Sequence, residues 1–378
     1  MAPAADWPLF QPHVPRQMIA ASNRLPMALQ DAEILPRMNL AEWDLVIRQG
    51  RCAGLLARLA IQLAERDLLA LVPAAPRNHL AAERTLADKH ARDVRWEVRC
   101  IQQALAPIGV DVILLKGAAY VLADLPPARG RLFNDVDILV PKAALGDVER
   151  ALLRDGWAGG AIAPYDERYY RRWMHQIPPL THRLRGTTID VHHTILPETA
   201  RLDLKAEALF AASREIAGAG GVRTLCPADM ILHSALHLLN EGEYARGLRD
   251  LDDIAQLLRR FGGDAAFWPL LLDRAEELDL RRPLYYALRY AGALLGVAVP
   301  EPVRMAARLA PPNTALRWLM DMLFSRALRP DHESCRDGLT GVALWLLYVR
   351  SHHLRLPPQL LLPHLLRKAY MRRFKTHE

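Results

Sequence analysis

The chain has 378 residues, 51% of them hydrophobic and 24% charged. That balance excludes a largely disordered chain and gives enough length for about two or three domains. The formal net charge is +7, and 43 of the 49 basic residues are arginine. Such a surplus suits an anionic ligand such as a nucleotide, a nucleic acid or an acidic lipid, and it equally suits a plain bias toward arginine.

The first residues lack a basic stretch followed by an apolar run, so no secretory signal is expected. The longest greasy stretches, such as Gly341–Val349, fall far short of the roughly 20 residues that span a bilayer, so no membrane partner is expected. Cys52, Cys100, Cys226 and Cys335 lie far apart and form no CxxC pair. A cysteine zinc module and a disulfide framework are therefore not expected, and a cytoplasmic location is.

Residues 1–38 are rich in proline, lack periodicity and read as an irregular arm. From Leu40 to about Leu71, Trp43, Ile47, Leu55, Leu59 and Leu63 recur near helical spacing. Val72–Arg77 reads as a break. A second helix follows through Leu86, His90, Val94, Val98, Ile101 and Leu105, stopped by Pro107 and Gly109. The pattern then changes. Val112–Leu115 predicts a buried strand, Gly117–Leu122 a helix and Asp135–Val140 a second strand. Pro141 opens a helix to Arg154, with Gly156 where a terminating glycine belongs. Gln176–Arg183 and Thr187–Ile195 predict a hairpin turning at Arg185-Gly186. After Pro227 the periodicity is helical throughout. The expected layout is an N-terminal helical region (1–94), an α+β core (95–225) and a C-terminal helical domain (226–378).

Asp135 and Asp137 carry the strongest chemical signal. Residues i and i+2 of a strand point to one face. Two carboxylates there repel each other unless water or a cation lies between them, and Ile138, Leu139 and Val140 make full solvation implausible. Hard oxygen ligands so placed suit Mg²⁺. On that view, removing the Asp137 charge should leave the fold intact and hold or raise thermal stability. Asp190, in the alternating run Thr188–His192, supplies a third carboxylate. Lys116-Gly117 stands between a strand and a helix, where glycine lets backbone approach a phosphate. Arg131 lies in a loop able to cover a triphosphate.

This ordered set resembles the DNA polymerase β-type nucleotidyltransferase superfamily. The matching motifs are Leu115-Lys116-Gly117, Asn134-Asp135-Val136-Asp137-Ile138 and Ile189-Asp190-Val191. More closely it resembles the bacterial uncharacterised nucleotidyltransferases with an LKG…R…DVDxLV pattern. That likeness extends to Trp43, to His175–Leu180, and to His233, His237 and Asp253-Ile254-Ala255. Ala118 stands where the superfamily usually has Gly or Ser. The resemblance implies a small mixed sheet with flanking helices. It implies transfer of a nucleoside monophosphate from an NTP to an unidentified acceptor, with release of pyrophosphate. Asp135, Asp137 and Asp190 would be catalytic and would hold two Mg²⁺ ions, with Mn²⁺ the alternative. Lys116, Gly117, Arg131 and Asn134 would bind nucleotide. His175, His192, Arg246 and Arg249 would stand behind the metals or on the acceptor side. The expected acceptor is a small molecule, peptide or protein rather than nucleic acid. The rival functions are a non-catalytic nucleotide-binding or scaffold protein of the same fold, and a toxin-like enzyme acting on RNA.

Other histidines offer less. His192-His193 face opposite ways, so only His192 joins Asp190, and zinc would need two further ligands. His233 and His237 have the i, i+4 spacing of a zinc pair, but no glutamate follows in HExxH fashion. Tyr165, Arg168, Tyr169, Tyr170, Arg171, Arg172 and Trp173 suit a nucleobase or nucleic acid, and equally a solvated amphipathic helix.

Overall fold

The computed structural model describes residues 23–160, 174–202, 204–306 and 309–356, together with Glu167 and Gln359. Tyr165 and residues 168–173 of the basic aromatic cluster lie outside the described residues, as do residues 1–22.

The irregular arm expected over residues 1–38 is regular from Leu25. Leu25–Gln30 (α1) and a 3-10 turn over Ala32–Arg37 bury Leu25, Ala28, Leu29 and Leu35. The Gln30 side chain donates to the carbonyl of Leu294 at 2.7 Å, which fastens the segment to a distant helix. Leu40–Ala53 (α2) starts with a reciprocal cap: Glu42 N–H donates to Asn39 Oδ1 at 3.0 Å, and Asn39 N–H donates to Glu42 Oε2 at 2.9 Å. The periodicity over Leu40–Leu71 covers two helices rather than one. Gly54 takes a left-handed φ of 68°, which ends α2, and Leu56–Glu65 (α3) follows. The break expected over Val72–Arg77 is shorter. Ala74–Leu105 (α4) begins after Pro73, and Pro76 sits in its first turn, where a missing N–H costs nothing.

Among the described residues a seven-stranded mixed sheet follows, with the expected α+β character. Its strands are Ile113–Leu114 (β1), Asp135–Leu139 (β2), Trp157–Gly159 (β3), Leu180–His182 (β4), Thr188–His192 (β5), Arg214–Glu215 (β6) and Arg223–Thr224 (β7), in the order β3-β4-β5-β2-β1-β7-β6. Lys116–Leu122 (α5), Leu145–Arg154 (α6) and Ala206–Ala212 (α7) connect them. β2 and β5 run parallel, with Asp137 opposite Asp190 and Leu139 opposite His192. β4 and β5 form the expected antiparallel hairpin.

Alternation along β2 explains both the fold and the site. Val136, Ile138 and Val140 share a core with Ile189 and Val191 of β5 and with Val94, Val98 and Ile101 of α4. The other face carries Asp135, Asp137 and then Leu139, which enters a separate and larger core. That core is built by Pro227–Asn240 (α8), Gly247–Phe261 (α9), Phe267–Glu277 (α10), Arg281–Leu295 (α11), Glu301–Arg304 (α12), Thr314–Ala327 (α13) and Thr340–Arg355 (α14) together with α1–α3. Pro227 occupies the first position of α8. The helices thus lie over the face that bears the carboxylates.

Candidate active site

The carboxylate face and the helices above it enclose a cleft of about 400 Å³. Each bordering helix contributes a stripe at helical spacing: Lys116 and Tyr120 from α5, Ser234 and His237 from α8, Arg249, Asp250 and Asp253 from α9, Tyr348, His352 and Arg355 from α14. Asp135, Asp137, Asp190 and His192 form the floor, beside His175 and Gln176. Gln176 bridges to His192, which extends the sheet at that edge.

Asp137, Asp190 and His192 each offer a donor atom, and these atoms lie within 4.8 Å of one another. His192 Nε2 is 3.1 Å from Asp137 Oδ1. Burial alone would raise the Asp137 carboxyl. The positive charge of Lys116 and the His192 hydrogen bond outweigh it and hold the group below the usual carboxylate range. Asp190 behaves oppositely. Burial first, then repulsion from Asp137, pushes it up to about 6. Its Oδ1 is buried and accepts no hydrogen bond among the described residues. Asp135 sits at the exposed end of β2, and reduced hydration in the cleft and the charge of Asp137 raise it as well. The His175 ring stacks on His192 with centroids 5.2 Å apart, and its pKa falls well below the ordinary value through burial and the neighbouring His192.

Cations line the opposite side. Lys116 holds a left-handed φ of 43°, a conformation that costs a non-glycine residue about 1–3 kcal/mol. A Cβ on Gly117 would lie 2.8 Å from the Phe133 ring, so only glycine lets the helix start pack there. Arg131 is buried against Tyr120 and Phe133, each ring centroid 5.9 Å from its guanidinium carbon, and pairs with Asp253. Arg249 pairs with Asp250 at 2.7 Å.

The structure therefore gathers Asp135, Asp137, Asp190, Lys116, Arg131, His175, His192 and Arg249 into one cleft. Gly117 adjoins it through Lys116. Asn134 lies elsewhere, exposed in a second hollow with His90 and Arg185. Arg246 precedes α9 and reaches toward Gly54 of α2 rather than lining the cleft. His233 is buried in α8, whereas His237 lines the cleft and pairs with Glu241 at 2.8 Å. Sequence reasoning missed Tyr120 and Ser234, whose hydroxyls meet at 2.8 Å, and it missed Glu241, Tyr348, His352 and Arg355. It also missed Arg58, a buried cation whose partners are the adjacent acids Asp252 and Asp253. Two acids inside an apolar helical segment were the available signal for that pairing. The α14 residues carried none, because nothing local ties them to the sheet.

Residues 39–296 match the model of a family described as uncharacterised nucleotidyltransferases. The chain belongs to this family. No curated protein matches this nucleotidyltransferase family member. Among solved structures it is similar to an antigenic nucleotidyltransferase-like protein from Paracoccidioides brasiliensis, at 17% identity and a TM-score of 0.32, over 56% of this chain and 96% of that one. Among the described residues no helix is long and apolar enough to cross a membrane.

Proposed function

We propose that this nucleotidyltransferase moves a nucleoside monophosphate from an NTP to an acceptor in a reaction that depends on divalent cations, with pyrophosphate released. The observation that carries this reading is the register of β2 and β5. It sets Asp137 beside Asp190, leaves Asp190 Oδ1 buried without a hydrogen-bond partner among the described residues, and faces both toward a cationic wall.

The residues fit a divalent cation. Two carboxylates and an imidazole converge, and an orphaned buried oxygen is what a metal ligand looks like without its ion. Asp137 and Asp190 would hold it, with Asp135 at the mouth for a second ion. We assign Mg²⁺, with Mn²⁺ as the alternative. A divalent cation bound there supplies charge for the phosphate oxygens and acidifies the acceptor hydroxyl.

The chain's own groups do the rest. Lys116, the amide of Gly117, Arg131 and Arg249 place positive charge toward the triphosphate and are fixed before substrate arrives. His192 fixes the Asp137 carboxylate through its hydrogen bond. The acceptor approaches on the Asp190 side of the cleft, and the Asp190 carboxylate takes its proton. Helices α8, α9 and α14 cover the cleft, exclude water and form the wall on which acceptor choice rests. The division of labour follows residues 95–225 for the carboxylates and residues 226–378 for that wall. The preferred acceptor class is a small molecule, peptide or protein.

Incubation with labelled NTPs and a cell extract tests the reading. Cation-dependent pyrophosphate release and a labelled acceptor are expected, and both should vanish in Asp137→Asn. Binding of NTP without any transfer would make the protein a binding module. Label appearing in tRNA would make it an RNA-modifying enzyme.

A further inference from the structure

We propose that Asp253 and Arg58 are positioning residues that hold Arg131 in its phosphate-facing place, so that the N-terminal helices help set triphosphate recognition. The inference rests on the nucleotidyltransferase reading and concerns residues to which that reading assigns no part.

The four charged groups involved are nearly withdrawn from water: Asp252 is 1% exposed, Arg58 and Asp253 3%, and Arg131 9%. Asp253 stands between two arginines. Its Oδ2 takes Arg131, and its Oδ1 takes Arg58 at 3.3 Å. Arg58 also reaches Asp252 at 3.2 Å and donates to the carbonyl of Pro127 at 2.8 Å. Pro127 belongs to the same loop that ends in Arg131. One guanidinium from α3 thus grips both the loop and the acid that holds the loop's arginine.

The backbone tightens this arrangement. Gly130, at φ 72°, lies so close to α3 that a Cβ would sit 2.7 Å from the Arg58 nitrogen. The loop is pressed onto the α3 backbone one residue before Arg131. Tyr120 and Phe133 flank it.

Pairing does not exhaust Arg131. A guanidinium carries five N–H donors, and Asp253 engages one nitrogen. Arg131 Nε is buried and has no acceptor among the described residues. Arg131 and Asp253 both border the cleft. Burial and the nearby Arg249 lower the Arg131 pKa only to about 10, so it stays charged at neutral pH. An arginine fixed by one acid at the edge of a cleft fits a phosphate oxygen arriving later.

A double-mutant cycle tests this. The purified full chain is titrated calorimetrically with ATP, GTP, CTP and UTP, and with the monophosphate of whichever binds best. Asp253→Asn is expected to weaken NTP binding about tenfold while changing NMP binding little, as loss of one charge-assisted contact predicts. Arg131→Ala should do the same, and the double variant should lose no more than Arg131→Ala alone. Arg58→Lys keeps the buried charge but loses the forked grip, and should show a smaller loss confined to the NTP. It also carries the test should Asp253→Asn fail to fold. Equal losses for NTP and NMP, or additive losses in the double variant, would overturn the positioning role while leaving the nucleotide site standing. No NTP binding by the unsubstituted protein would overturn both.

Discussion

The sharpest prediction concerns Asp190→Asn in the absence of metal. Burial and the charge of Asp137 lift the Asp190 carboxyl from 3.8 to about 6. A carboxyl whose folded pKa is raised favours the native state while protonated, and that contribution disappears as pH rises through the folded value. Above pH 7 the ionised group therefore costs at most about 3 kcal/mol, at about 1.36 kcal/mol per pH unit. Near pH 5 the cost is about half of that. Asp190 is only partly buried, so solvent screening reduces both figures to about 1–2 kcal/mol or less. Asparagine keeps the shape and removes the charge. The variant should melt about 1–3 °C above the parent at pH 7.5 in EDTA, with a smaller gain near pH 5. Added Mg²⁺ should cancel most of that gap, because a ligand at about tenfold its Kd stabilises the parent by about 1.4 kcal/mol and the variant, lacking the carboxylate, by less. Scanning calorimetry at the two pH values, with EDTA and with Mg²⁺, makes all four comparisons. A variant less stable than the parent at pH 7.5 in EDTA would refute the electrostatic reasoning. Equal Mg²⁺ gains in both proteins would remove Asp190 from the metal site.

Asp137→Asn should have the opposite sign. Lys116 and His192 stabilise its ionised form, a contribution present above the unfolded carboxylate pKa and lost as pH falls, so the variant should be less stable at neutral pH by about 1–3 kcal/mol. The relief of repulsion that the sequence suggests for Asp137 thus belongs to Asp190, and urea melts of the two variants side by side check it. Gly117→Ala should cost about 1–3 kcal/mol, because its methyl would press on the Phe133 ring at 2.8 Å; Phe133→Leu in the same chain should recover part of the loss. Gly130→Ala should cost more than Gly117→Ala in the same melts, since it adds a left-handed φ to a 2.7 Å approach to backbone that cannot swing aside.

The elements of the core were legible because their signals are local. Alternation in Asp135–Val140 and Thr188–His192 marks the strands, and Gly156 and Pro227 mark helix ends. The carboxylates were legible for the same reason, as i, i+2 spacing fixes a shared face whatever the surroundings. Helix boundaries were less so. Gly54 can sit inside a helix or end one, and only its left-handed backbone distinguishes the two. Proline in residues 25–37 suggested irregularity, yet Pro26 occupies a helix's first turn, where it fits, and Leu25 and Leu29 obtain their burial from α11, some 250 residues further along the chain.

What no local pattern could supply is the neighbour of each charge. His192 lies two residues along β5 from Asp190, on the same face, and reaches back to Asp137 across the parallel pairing. The same holds for Arg131, whose buried place depends on an acid more than a hundred residues later and, through it, on an arginine of α3. A buried charge without a partner is strongly unfavourable, so each of these groups requires the others to be in place before it is tolerated. The cleft is consequently assembled from both ends of the chain: strands supply the carboxylates, α3 and α9 brace the arginine that answers them, and α14 closes the far side with Tyr348, His352 and Arg355. Among the described residues Asp190 Oδ1, His175 Nδ1 and His192 Nδ1 on its floor and Arg131 Nε on its cationic side are buried without a hydrogen-bond partner, so the protein alone does not satisfy the polar groups of the cleft.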